Sequence, residues 1–209
     1  MKKILSILLF STLLFSCENH EEKIEIYLVK NRIRTTEGIP VLEYVKLKKI
    51  KYEEDIENVK DCNYDSISKK IIYGGKFNVK PENLEKEPLI TDMDILKLNL
   101  KKSELILSEI GKHKINQLKP NMKYGIQFAI CVNKKPVLTG YFRSIYSSYI
   151  YNWNYISYDY YNKEKRVDKD TNFVIRQNQN YEKWKPILTD LKVYPELIKS
   201  FNKSSRLEN

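Results

Sequence analysis

Read as a pattern of apolar and polar positions, the chain opens on one greasy stretch and then breaks into short segments that mostly alternate. Lys2 and Lys3 precede an apolar run from Ile4 to Phe15, interrupted only by Ser6, Ser11 and Thr12. Lys23 to Lys30 alternates at first and predicts a strand. Val41 to Leu47, after the turn-forming Gly38 and Pro40, predicts a second. Tyr52 to Asn63 is charged and weakly periodic, as a short helix would be. Ile67 to Val79, with Ile71-Ile72-Tyr73 and Phe77 about Gly74-Gly75, predicts a strand carrying a bulge or a hairpin turn. Pro81 to Pro88 reads as a linker inside one domain, since neither flank is self-sufficient.

The middle of the chain is more regular. Asp94 to Leu100 is strand-like. Ser103 to Leu118 predicts the main helix, with Ser103 as N-cap and Ile106, Leu107, Ile110 and Leu118 on one face. Gly111 weakens this helix and Pro120-Asn121 ends it. Tyr124 to Val132 then predicts a strand, with Ile126, Phe128, Ile130 and Val132 on one side. Asn133-Lys134-Lys135-Pro136 turns the chain, and Val137 to Arg143 returns, with Gly140 marking a bulge or a close contact. Strand, helix and hairpin make a βαββ unit. Further on, Tyr149, Tyr151, Trp153 and Tyr155 recur every second residue, as one face of a strand would, with Ile150, Asn152, Asn154 and Ile156 opposite. Lys163 to Thr171 predicts a charged loop, Phe173-Val174-Ile175 a short strand, and Trp184 to Phe201 a helical region interrupted by Pro186 and Pro195. The expected class is α+β: an antiparallel sheet with one main helix packed on it and a C-terminal helical segment. Residues 24–203 form a single domain in this reading, and 204–209 a flexible tail.

The opening segment has a different character. A basic start followed by a short apolar run is the pattern of an export signal. The run is 12 residues, and a helix needs roughly 20 to cross the hydrocarbon core. Leu14-Phe15-Ser16-Cys17 resembles the lipobox of bacterial lipoproteins, in which a small residue precedes the cysteine that is acylated and becomes the new N-terminus. The resemblance implies a signal peptide over 1–16, lipidation of Cys17 and a tether over 17–23, with the membrane as partner through that anchor. The alternative is a cleaved signal beside an unrelated cysteine. Glu18, Asn19, His20, Glu21 and Glu22 form an acidic tether, similar to signals that send some lipoproteins to the cell surface; its other reading is a solvated linker. The location expected is the cell envelope, on the outer membrane, facing the periplasm or the surface. Leu98 to Thr139, including Gln127-Phe128-Ala129-Ile130-Cys131-Val132-Asn133-Lys134-Lys135-Pro136-Val137-Leu138, resembles the periplasmic head of SecD-type export proteins. Asn133-Lys134-Lys135 lacks the glycine of that family's turn, so the resemblance implies a head-like α+β fold and no export activity.

Composition narrows the function. Hydrophobic content of 42% and charged content of 31% describe a folded domain. The formal net charge is +10, yet the basic residues are nearly all Lys, with Arg only at positions 32, 34, 143, 166, 176 and 206. Arg is the preferred reader of phosphates and bases, so nucleic acid is not the expected partner. An anionic surface or an acidic glycan suits diffuse charge better. Cys62 and Cys131 sit in an oxidising compartment if the chain is exported, so a bridge and two free thiols are both open.

No catalytic set emerges. His113 lies one turn after Glu109, ordinary helix-surface geometry that lacks the second histidine of a zinc motif. Ser147-Ser148 has no nearby base, Gly74-Gly75 lacks the lysine of a phosphate loop, and Asp92-Met93-Asp94 is a fragment of a cation site at most. No cofactor or metal is expected. Tyr149, Tyr151, Trp153 and Tyr155 are the candidate binding face for a protein or glycan, because flat rings bury much area at little rotamer cost. The competing reading packs the same rings under the helix or ladders them across a sheet. The function expected is therefore non-enzymatic binding by a lipid-anchored envelope protein. A protective, toxin-neutralising lipoprotein is the alternative. Paired carboxylates can lie far apart in sequence, which keeps an envelope hydrolase as a third.

Overall fold

The computed structural model describes residues 22–51, 54–149, 151–159, 173–178 and 186–209. The segment read as an export signal, Cys17, Ile150, the loop expected over 163–171 and Trp184 lie outside them. The fold is α+β, with sheets that are mostly antiparallel. A six-stranded sheet takes the order β1 (Ile24–Leu28), β7 (Ile126–Val132), β8 (Lys135–Ser144), β9 (Tyr155–Tyr158), β11 (Arg176–Asn178) and β12 (Pro186–Leu188). Its neighbours are antiparallel except β8 and β9, which run parallel. The expected β7–β8 hairpin forms around a two-residue turn in which Asn133 (φ 50°) and Lys134 (φ 64°) are both left-handed. That turn type matches the twist of paired strands, and Asn supplies its first position without a glycine.

A four-stranded sheet lies opposite, in the order β10 (Phe173–Val174), β6 (Glu104–Leu107), β5 (Ile95–Asn99) and β13 (Leu207–Glu208). Between the two sheets sits the main core, including Ile24, Phe128, Phe142, Leu98, Leu105 and Phe173. The segment expected as one helix from Ser103 to Leu118 is two elements. Glu104–Leu107 is β6, hydrogen-bonded to β5, and α3 (Glu109–Asn116) begins only after Ser108. Ser108 caps it, its Oγ accepting from Gly111 N at 3.0 Å, while Ser103 is a left-handed turn residue. The strand before α3 therefore pairs in the other sheet from β7 and β8. The helix that covers the large sheet is α4 (Pro195–Lys203), entered through Pro195 and burying Leu197 and Phe201 against β7 and β8. Pro195 starts that helix, because proline's missing N–H costs nothing in a first turn. Nor do residues 204–209 trail free. Leu207–Glu208 adds a parallel strand to β5, and Arg206 donates to Asp92 Oδ1 (2.7 Å) and to the Asp92 and Ile95 carbonyls (both 2.9 Å).

At one end of the large sheet stands a small lobe of β2 (Ile39–Pro40), β3 (Asn63–Asp65) and β4 (Lys70–Ile72), with α1 (Val41–Leu47) and α2 (Glu54–Glu57). Val41 to Leu47 is a helix and not the strand its alternation predicts. Val41 and Val45 share the 3.6-residue period and are the two residues it buries, which decides the competition between periods. The hairpin in this region turns at Ser66–Lys69, between β3 and β4, and not at Gly74-Gly75. Pro81 to Pro88 is fastened rather than loose: Lys30 N donates to Asn83 O and Glu85 N to Leu28 O, both at 2.9 Å.

Candidate functional site

The aromatic row does not form one strand face. Tyr151 makes an isolated bridge to Gly74, and β9 starts only at Tyr155. Tyr151 and Tyr155 are buried together with Phe77 and Tyr141 on the side of the large sheet away from the main core. Their rings meet edge-on or tilted, Tyr141–Tyr151 at 5.1 Å and Tyr151–Tyr155 at 6.1 Å. The Arg143 guanidinium lies over both, 5.1 Å and 5.0 Å from the ring centres. Burial pushes the Tyr151 and Tyr155 phenols up from their ordinary pKa. These two rings are packed in the interior, in one aromatic cluster.

Tyr149 and Trp153 are only half-buried, and they stand at separate places. Trp153 lines a cleft of about 260 Å³ with Lys76, Val137, Thr139 and Tyr194. Its Nε1 donates to Thr139 Oγ1 at 2.8 Å, and the Lys76 ammonium sits 5.2 Å from the ring centre. Tyr149 leans on Tyr73 at 4.5 Å. Tyr73 lines an apolar groove of about 420 Å³ in the small lobe.

The groove is built from three elements. α1 contributes Val41, Tyr44 and Val45, the β3–β4 hairpin contributes Tyr64 and Ile71, and the turn beyond α2 contributes Val59. Nine of its eleven lining residues are aliphatic or aromatic; Asn58 and Lys123 are the polar ones. Tyr44 and Tyr64 stack at 3.9 Å along its wall. Its far wall is tied to the large sheet, since the Tyr124 hydroxyl donates to Asn58 O, and Arg32 donates to Tyr124 O (3.2 Å) and Tyr73 O (2.6 Å). Arg32 also covers the Tyr124 ring at 4.5 Å. Burial pushes the Tyr124 phenol up to about 12. The lining is thus mostly apolar, a surface for apolar side chains and flat rings. Sequence reasoning missed it. The signal was there in Val41, Tyr44 and Val45, whose i, i+3, i+4 spacing makes one apolar helical stripe.

The remaining chemical candidates are occupied by structural bonds. Asp94 accepts from Lys114 Nζ (2.7 Å), Thr91 Oγ1 (2.8 Å) and Ser108 Oγ (2.9 Å), and Asp92 from Arg206 and from Ile24 N. Ser147 Oγ donates to Met122 O. His113 is exposed and meets the Gln117 side chain at 2.7 Å. Among the described residues no group of three or more His, Cys, Asp or Glu side chains is placed to hold a metal ion. Cys62 and Cys131 are free, buried in different clusters, and burial raises their thiols to about 11 and about 12. No described helix is long and apolar enough to cross a membrane. Comparison with protein families, curated proteins and solved structures finds no match for this chain.

Proposed function

We propose that this protein is a non-enzymatic binding protein of the cell envelope, held at a membrane by an acyl group on Cys17 and engaging a macromolecular partner through the small-lobe groove. The observation that carries the binding half is the groove itself, apolar on nine of eleven lining residues and open at the surface. Sites that hold ligands are concave and mostly apolar, with few polar groups to set orientation. The anchoring half rests on Leu14-Phe15-Ser16-Cys17. One acyl chain binds a bilayer marginally and two or more bind it stably.

Metabolic labelling with an alkynyl fatty acid tests the anchor. The native chain should take up label and stay with membranes, and Cys17→Ala should do neither; an unlabelled native chain would end the anchoring claim. For the groove, a photo-reactive residue at position 44 should give a discrete adduct in intact cells, and one at the exposed position 97 should give none. Without an adduct at 44, the groove has no part in the function.

A further inference from the structure

At the end of the large sheet where the described chain begins, large apolar side chains stand in the open. Met93 is 84% exposed, Ile110 66% and Leu96 46%. Met93 sits in the short turn Asp92–Asp94 that leads into β5, and Ile110 in the first turn of α3. These two turns pack on each other. Ser108 N donates to Asp94 O at 2.8 Å, and Gly111 faces Asp94 so closely that an added methyl group would lie 3.2 Å from its Cβ. Leu96 follows on β5, at the irregularity in its pairing with β6. The carboxylates nearest them are engaged: Asp92 by Arg206 and Asp94 by Lys114, both at 2.7 Å, and Glu109 by Lys112 at 3.0 Å. Single apolar residues are ordinary at a surface, but several on adjoining turns mark a place of association. With its neighbouring charges balanced, this patch favours an apolar medium over a charged surface.

What lies opposite the patch follows from where the chain enters the domain. Ile24 N donates at 2.7 Å to Oδ1 of Asp92, the residue before Met93. Asn133 N donates to Lys23 O at 2.9 Å, and Glu22 is held on α4 by Ser200 Oγ (2.7 Å) and Lys203 (3.3 Å). The entry point and the patch thus share one end of the molecule. Cys17 to Glu22 reaches at most about 18 Å at 3.6 Å per residue. An acyl group on Cys17 would therefore hold this end close against the bilayer. We infer that Met93, Ile110 and Leu96 insert into the headgroup and upper acyl region of the membrane that holds the anchor, so that the domain is seated on the bilayer rather than swinging on its tether. Apolar faces that lie in an interface sink about 5–10 Å into it, well within the reach of the tether. The inference rests on the proposed acylation of Cys17 and adds a second, apolar contact to it.

The test places an environment-sensitive fluorophore on the mature chain and adds phosphatidylcholine vesicles. Cys62 and Cys131 are buried, so with Cys17 blocked by its acyl group Met93→Cys, Ile110→Cys and Ile67→Cys each offer one labelling position. Ile67 is the control, 91% exposed in the small lobe. Emission from 93 and 110 should shift to the blue on vesicles and be quenched by lipids that carry a nitroxide just below the headgroup. Emission from 67 should stay as it is in water. Met93→Asp with Ile110→Asp should abolish the shift of a label at Leu96→Cys while the chain still floats with the vesicles. Both changes are at the surface, and an unchanged thermal midpoint confirms that the variant folds. A chain that floats but keeps water-like labels at 93 and 110 overturns the inference and leaves the anchor standing. So does a blue shift without vesicles at raised protein concentration, which would assign the patch to a second copy of the chain. A shift that requires phosphatidylglycerol overturns it as well, since charge would then drive the contact. A chain that does not float has no anchor, and the inference falls with it.

Discussion

At Gly74, an added methyl group would sit 2.1 Å from the Tyr151 ring, and at Gly125 (φ 60°) it would meet the Tyr151 hydroxyl at 2.9 Å and the Phe142 carbonyl at 2.6 Å. Two bare backbone positions thus grip one buried ring, with its hydroxyl donating to Lys123 O at 3.2 Å. Gly74→Ala should overpack this site and lower stability by about 1–3 kcal/mol. Tyr151→Ala should leave a cavity and cost about 3–5 kcal/mol. Trp153→Ala, at a half-exposed ring, should shift the urea midpoint much less than either. Equal shifts at 151 and 153 would contradict the packing described for Tyr151. The two thiols give a second check at this scale. Buried and raised to about 11 and about 12, Cys62 and Cys131 should resist maleimide in the native chain and both react once it is unfolded without reductant. Failure to react after unfolding would reveal a bridge that the structure lacks.

Among the elements, the junction of β5 with α3 depends on one carboxylate. Burial alone would raise Asp94, but the hydrogen bonds from Lys114, Thr91 and Ser108 outweigh it and bring the group down to about 2 from 3.8. A pKa depressed on folding gives stability that is present above the unfolded value and lost as pH falls through the folded one. Asp94 is 7% exposed, so about 2 kcal/mol should disappear between about pH 4 and pH 2. Asp94→Asn should remove that part of the acid slope in pH-dependent urea unfolding; an unchanged slope would place the acid sensitivity elsewhere. The same junction shows where the sequence misleads. Leu105, Ile106 and Leu107 satisfy a strand and a helix equally, and the cap that separates them is Ser108, five residues beyond the one expected. Val41 to Leu47 is ambiguous in the same way, and burial of Val41 and Val45 resolves it as helix. β1, β7 and β8 were legible because Ile24-Glu25-Ile26 and the alternate positions Ile126, Phe128, Ile130 and Val132 set the strand period, and Asn133-Lys134 marks the turn between β7 and β8. β13 was not, since a two-residue strand carries no pattern and its pairing with β5 depends on Arg206 reaching Asp92 across 114 positions. The groove was hidden for a related reason: its walls come from α1, the β3–β4 hairpin and Lys123, which only the assembled fold brings together.

For the whole molecule, the consequence of the proposed anchor is an orientation, and the buried thiols make it measurable. Cys62 and Cys131 are inaccessible, and Cys17 is blocked if acylated, so a cysteine introduced at the surface becomes the single labelling position. Lys134→Cys places a fluorophore on the β7–β8 turn, beside the point where Lys23 enters the domain. Lys48→Cys places it on the rim of the groove, at the other end of the large sheet. The mature chain is inserted in phosphatidylcholine vesicles that carry a headgroup acceptor. Energy transfer falls with the sixth power of distance, so the length of β7, about 23 Å at 3.3 Å per residue, should make transfer strong from position 134 and weak from position 48. Equal transfer from both would mean that the domain lies flat on the bilayer, and the groove would then face lipid. Absence of transfer from either, with the chain not floating with the vesicles, would remove the anchor.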